Sequence, residues 1–230
     1  MDFDKILGDS FAYTKEAIVG KWMQWLLLVI ATILLCLPLL GYILKVYRGE
    51  KPAPEVKDWG TLFIDGIKYA IVSLAWAIPL LIIFFVMIGA AIVAFTGNPA
   101  VVLSGTPASS GNPASIMGAL GGFGLIVVII VAILTVIFAT IGVIRFARTG
   151  SMGEAFNIKE ISATIGRIGW GTYIISLVVL IVTLIVVEII IWILGMIPVL
   201  GMIIQLVFIA PVMIFEARYL CQVYDAAGAA

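Results

Sequence analysis

The sequence predicts an all-α fold: a polytopic transmembrane helical bundle of about five spans with amphipathic interfacial helices on the cytoplasmic face. Three observations carry this expectation. Mean hydropathy is +1.25. Hydrophobic residues make up 63% of the chain and charged residues 11%, whereas a soluble domain holds about half and about a quarter. The apolar residues also fall in runs of roughly 20 or more, enough for a helix to cross a hydrocarbon core of about 30 Å. The short alternating segments of a membrane β-barrel are absent from the sequence.

Residues 2–20 read as an amphipathic helix. Phe3, Ile6, Leu7, Phe11, Ala17 and Ile18 fall near one stripe, with Asp4, Lys5, Asp9, Lys15 and Glu16 largely off it. Asp2 is placed to cap the start. The helix is expected either in the membrane interface or as a solvent-side cap packed on the bundle. The mixed acids and lysines of this segment do not fit a cleavable signal peptide.

Residues 22–46 form the first membrane segment. Pro38 must kink or break it, so it either crosses once or forms a re-entrant hairpin. The reading adopted is a helix broken at Pro38, with the N-terminus returned to the cytoplasm. The next loop holds Pro52 and Pro54, which keep it extended, and Asp58 suits the N-cap of the following helix. That helix opens with Trp59, Leu62, Phe63, Gly66, Ile67 and Ala70 on one face. It continues as a membrane segment over 66–95, kinked near Pro79 and forming a second break.

Residues 96–115 carry no charge and are rich in Gly, Pro, Ser and Asn, which reads as an external loop. The segment 116–144 begins with Gly118-x-x-x-Gly122, an isolated match to a close-approach motif. In the connection 145–167, Ser151-x-x-Glu154 and Asn157-x-x-Glu160 both fit capping boxes. Ile158, Ile161, Ile165 and Ile168 then repeat at helical spacing, as in a short interfacial helix. Trp170 and Tyr173 mark entry into the segment 171–194. An uncharged turn from Gly195 to Gly201 leads to the last segment, 202–224. Glu216 and Arg218, near its cytoplasmic end, are placed to pair with another helix.

All 13 Lys and Arg lie in the N-terminal segment, the two charged connections and the C-terminal end. The positive-inside rule then places the charged loops 45–66 and 145–167 and the C-terminus in the cytoplasm, and 96–115 outside the cell membrane. The whole chain, 1–230, reads as a single integral membrane domain. Leu37-Pro38-Leu39-Leu40-Gly41 recurs loosely as Ile197-Pro198-Val199-Leu200-Gly201. An apolar helix followed by Arg-Gly or Arg-x-Gly, a charged loop, an amphipathic helix and a new span also occurs twice. These recurrences fit a degenerate internal repeat, 42–95 against 141–194, or generic membrane punctuation.

The chemistry is mostly negative. Formal net charge is zero, so no electrostatic case exists for nucleic acid. There is no His, and Cys36 and Cys221 lack metal-ligand spacing. No nucleophile–base pair or phosphate loop is present. Neither a metal, a cofactor nor an enzymatic activity is expected. Glu188, inside an apolar segment, is the sharpest candidate, because an intramembrane acid needs a partner or a cavity. Gln205 is its candidate companion. Thr135, Thr140, Ser176 and Thr183 read as interhelical glue. Arg48, Glu50, Asp58, Trp59 and Asp65 are candidate cytoplasmic partner contacts. The expected partners are the lipid bilayer and a membrane protein or a second copy. The leading expectation is a non-enzymatic scaffold, assembly or membrane-organising subunit. The alternative is a small transporter or channel-like module using Glu188.

Arg48-Gly49-Glu50, Asp58-Trp59-Gly60, Leu62-Phe63, Asp65-Gly66, Gly150, Ala155-Phe156 and Gly169-Trp170-Gly171 carry a resemblance over nearly the whole chain. It resembles an uncharacterised, mostly archaeal, multi-pass membrane family catalogued only as a domain of unknown function. The resemblance implies a cell-membrane protein of archaeal type and supplies no activity, substrate or catalytic residue.

Overall fold

The computed structural model describes residues 1–96, 124–197 and 200–228. The expected external loop beyond residue 96, the Gly118–Gly122 pair and Pro198 lie outside the described residues. The described elements are α1 (Phe3–Ile18), α2 (Trp22–Ile33), α3 (Leu37–Tyr47), α4 (Trp59–Thr96), α5 (Leu125–Thr149), a 3-10 turn (Met152–Phe156), α6 (Ile158–Ile168), α7 (Trp170–Gly195) and α8 (Leu200–Asp225). No strand occurs among them. Among the described residues, four helices are long and apolar enough to cross a membrane: Trp59–Gly89, Leu125–Thr149, Trp170–Gly195 and Gly201–Asp225. The chain is thus an all-α, polytopic membrane-type bundle. It forms two compact units, one of residues 1–73 with 138–230 and one of residues 74–137.

Local chemistry starts the helices. The Asp2 carboxylate accepts from Lys5 N at 3.2 Å, and Asn157 Oδ1 accepts from Glu160 N at 3.3 Å. Ser151 makes no side-chain cap, and its segment is a 3-10 turn. Asp58 starts α4 through its backbone carbonyl, which accepts from Leu62 N at 3.1 Å and Thr61 Oγ1 at 2.8 Å. It sits in the left-handed region at φ 56°. Gly169, at φ 91°, precedes α7 in the same way, and each is followed by Trp-Gly-Thr.

The break in the first apolar segment falls just before Pro38. Leu35 (φ 57°) and Cys36 (φ 60°) are left-handed. Pro38 lies in the first turn of α3, where its missing N–H costs nothing. At 12 and 11 residues, α2 and α3 are about 18 and 17 Å long, each too short to cross alone. Pro79 corrects an expectation: it lies inside the single helix Trp59–Thr96 and does not break it, a tolerance known in membrane helices.

In the first unit the last helix is the hub: α8 packs on α1, α2, α3, α6 and α7. The buried core clusters toward the charged ends of the helices, at Tyr42, Tyr47, Ile144, Phe146, Tyr173, Ile214 and Tyr219. Toward the α7–α8 turn the side chains are exposed, as at Ile185, Ile189 and Met202. One helix crossing, α3 on α4, requires glycine at two positions. A Cβ on Gly41 would lie 2.0 Å from Leu62 O, and one on Gly66 would lie 1.8 Å from Leu37 O. In the second unit Ile82, Phe85, Ile129 and Ile133 are exposed, leaving an apolar surface suited to lipid.

Helix α1 docks on the bundle. Ile6 and Ser10 meet Gln222, Asp9 meets Arg218, and Phe11 meets Phe215. The order of these pairs is antiparallel, so α1 runs back along the charged half of α8. Tyr13 Oη donates to Glu50 O at 2.9 Å, and Gln24 Nε2 donates to Pro54 O at 2.9 Å. Both ends of the α2–α3 segment therefore lie beside the same charged loop.

Candidate functional site

Two regions hold polar side chains against the apolar background. The first is an ionic lattice at the charged end. Arg218 is 2% exposed, and it donates to Asp9 Oδ2 from Nε at 3.0 Å and Nη2 at 2.6 Å. Its guanidinium also lies 5.0 Å from the centre of the Tyr13 ring. Arg148 donates to Tyr47 O at 2.7 Å, to Asp225 Oδ1 at 2.6 Å and to Cys221 Sγ at 3.0 Å. That one side chain joins α3, α5 and α8. Arg145 pairs with Glu154, which also accepts from Asn157 at 3.2 Å. The hydrogen bond from Arg145, then that from Asn157, holds the Glu154 carboxyl below the usual range.

Each of these charges is paired with a group on another helix or turn of the same chain, although the buried Arg145 Nε meets no hydrogen-bond acceptor among the described residues. The lattice therefore braces the bundle. A mixed-charge cavity of about 410 Å³ opens beside it, lined in part by Lys5, Lys51 and Asp225.

The second region lies between α7 and α8 near their connecting turn. Glu188 and Gln205 line one groove of about 360 Å³, together with Trp192, Phe208 and Val212. Both polar side chains are exposed. Neither has a hydrogen bond or ion pair among the described residues. The structure thus brings the two candidates onto one surface. Ser176 and Thr183 donate to Tyr173 O and Val179 O of their own helix, at 2.7 and 2.8 Å, so they do not extend the groove into a polar path.

The remaining candidates take structural positions in the charged loop. Arg48 donates to Asp65 Oδ2 at 2.7 Å, and Lys68 lies 3.8 Å from the same carboxylate. Glu50 contributes its backbone carbonyl to Tyr13. Asp58 is exposed and Trp59 half-buried. Glu216 forms no ion pair among the described residues.

Asp9, Arg148 and Asp225 escaped the sequence reading, although they hold the lattice together. Their only local signal is charge: Arg148 and Asp225 stand at the ends of apolar helices and Asp9 on the polar side of α1, positions that ordinary solvated charges share.

A family model described as "Protein of unknown function (DUF4013)" matches residues 25–196. The match runs from α2 through α7 and leaves α1 and α8, the antiparallel pair, outside it. No curated protein matches, and no solved structure matches.

Proposed function

The chain belongs to the DUF4013 family of proteins of unknown function, and we propose that it acts as a non-enzymatic scaffold, assembly or membrane-organising subunit of the cell membrane. The observation that supports this reading is the use made of its charges. Arg48–Asp65, Arg145–Glu154, Arg148–Asp225 and Arg218–Asp9 are all spent on bracing the chain's own helices and loops. Meanwhile apolar side chains of the membrane-type helices remain exposed for lipid or for other helices. In this proposal the charged end faces the cytoplasm, because every Lys and Arg of the described bundle gathers there. The test is purification from native membranes in mild detergent. A stoichiometric membrane-protein assembly is expected, and a chain recovered only as an isolated monomer would count against the reading.

One observation favours a second reading, a small transporter or channel-like module. Glu188 and Gln205 share a groove, as an intramembrane ion or proton site would need. Flux through reconstituted vesicles that disappears in Glu188→Gln would support it. Absence of any flux across a panel of cations, protons and small anions would remove it.

A further inference from the structure

Helix α2, the first arm of the broken segment, is bounded on both sides by left-handed residues: Gly20 (φ 80°) before it, and Leu35 (φ 57°) and Cys36 (φ 60°) after it. It buries Gln24, Leu28, Ala31 and Thr32, whereas Met23, Leu26, Ile30 and Ile33 are exposed. Two adjacent side chains tie it to other elements. Gln24 reaches the charged loop at Pro54 O, and Trp25 Nε1 donates to Val207 O of α8 at 3.2 Å. Val207 stands four residues before Pro211, which lies inside α8. Proline has no N–H, so the Val207 carbonyl lacks the donor that an uninterrupted α-helix would give it. The indole of Trp25 is a donor only. Each group supplies what the other lacks. Ile203, Phe208 and Ile209 are exposed nearby on α8, and in such an apolar setting an unpaired polar group is costly.

We infer that Pro211 and Trp25 form a latch that docks the broken segment on the hub helix: the proline opens one carbonyl in the α8 ladder, and the indole closes it. The latch governs the chain's own conformational freedom, whatever the chain assembles with. Its sign is opposite to that of an ordinary helix proline. Replacing a proline inside a helix restores a ladder bond and tightens the structure around it. Here Pro211→Ala gives Val207 O an amide partner from within α8. Undocking α2 then strands only the indole, whereas in the native chain it strands the indole and the carbonyl together. The alanine therefore firms α8 and frees α2. Gln24, one residue along, ties the same turn of α2 to the charged loop, so release of the latch leaves that turn held by the loop.

The test is hydrogen exchange of the full chain in lipid nanodiscs, read by mass spectrometry over residues 22–33 and 207–215. Trp25→Phe is expected to speed exchange in 22–33 about fivefold, the weight of one hydrogen bond. Pro211→Ala is expected to speed exchange in 22–33 and to slow it in 207–215. The double variant is expected to add little to Pro211→Ala in 22–33, because the bond that Trp25→Phe removes is already weakened there. Trp22→Phe trims the indole stacked on Trp25 at 5.6 Å. It is expected to match wild type, which separates loss of the hydrogen bond from loss of aromatic area. Circular dichroism and a monodisperse elution profile establish that each variant is folded. Exchange in 22–33 that is unchanged in Trp25→Phe, or unchanged or slowed in Pro211→Ala, would overturn the inference. So would effects of the two substitutions that simply add, or a Trp22→Phe that behaves like Trp25→Phe.

Discussion

Arg218 and Asp9 are joined by two hydrogen bonds to one carboxylate oxygen, at 2.6 and 3.0 Å, across a sequence separation of 209 residues. The arginine is buried, whereas the aspartate side chain is 46% exposed. The pair closes the first helix onto the last. Removing the aspartate strands a guanidinium that water cannot readily reach.

Asp9→Asn should therefore destabilise the fold by about 1–3 kcal/mol, below the full cost of breaking a buried pair because half the aspartate faces water. Arg218→Lys should not restore the wild-type value. An ammonium cannot match the two-nitrogen contact and the stacking on Tyr13 together. Thermal unfolding in detergent, combined with limited proteolysis of the N-terminal helix, measures both effects. An α1 as protease-resistant in Asp9→Asn as in wild type would refute the assignment.

Gly41→Ala and Gly66→Ala should each cost about 3 kcal/mol or more, since the new methyl would enter backbone at the α3–α4 crossing. Gly60→Ala is the contrasting case. Its Cβ would meet nothing within 4 Å, so alanine should be neutral or mildly stabilising through the lower entropy of its unfolded state. Folded yield and unfolding midpoint of the three variants check the contrast.

Acid should loosen the α5–α6 connection. The Glu154 carboxyl titrates below its usual value because Arg145 and Asn157 hydrogen-bond its ionised form. Its folded-state pKa is thus lower than its unfolded-state pKa. The associated stabilisation is fully present above the ordinary carboxylate range and is lost as pH falls through the folded-state value. Unfolding midpoints measured between about pH 7 and pH 3 should fall less steeply in Glu154→Gln than in wild type. Parallel curves would contradict the pairing.

The first membrane segment should leave both its flanks on one side of the bilayer. Tyr13 bonds to Glu50 and Gln24 to Pro54. A single cysteine introduced as Lys15→Cys or as Lys57→Cys, with Cys36 and Cys221 replaced by Ser, should react with an impermeant thiol reagent from the same face of oriented vesicles. Labelling from opposite faces would mean that residues 22–46 cross.

Much of this architecture is legible in the chain because hydropathy is a local property. Whether residues 171–194 can enter a bilayer depends on those residues alone, and α7 spans Trp170–Gly195. The caps at Asp2 and Asn157 are equally local, each closing on an amide three residues away. The break near Pro38 was legible only roughly. Proline identifies a place where helix continuity is weak, but it is tolerated in a first helical turn, so the left-handed pair Leu35–Cys36 carries the turn. Pro79 illustrates the reverse, a proline absorbed within one helix.

The sequence by itself determined the class, the membrane-type helices, the segregation of charge to one end and the presence of an acid at Glu188. Tertiary structure alone decided that α1 folds back along α8, that Arg148 joins three helices, and that Glu188 and Gln205 share a surface. The physical reason is range. Burial of an apolar run is a sum over neighbours in the chain, whereas an ion pair or a helix crossing depends on where distant residues arrive in space. Asp9 and Arg218 look like two ordinary charges until α8 places one in the core and α1 brings the other to it.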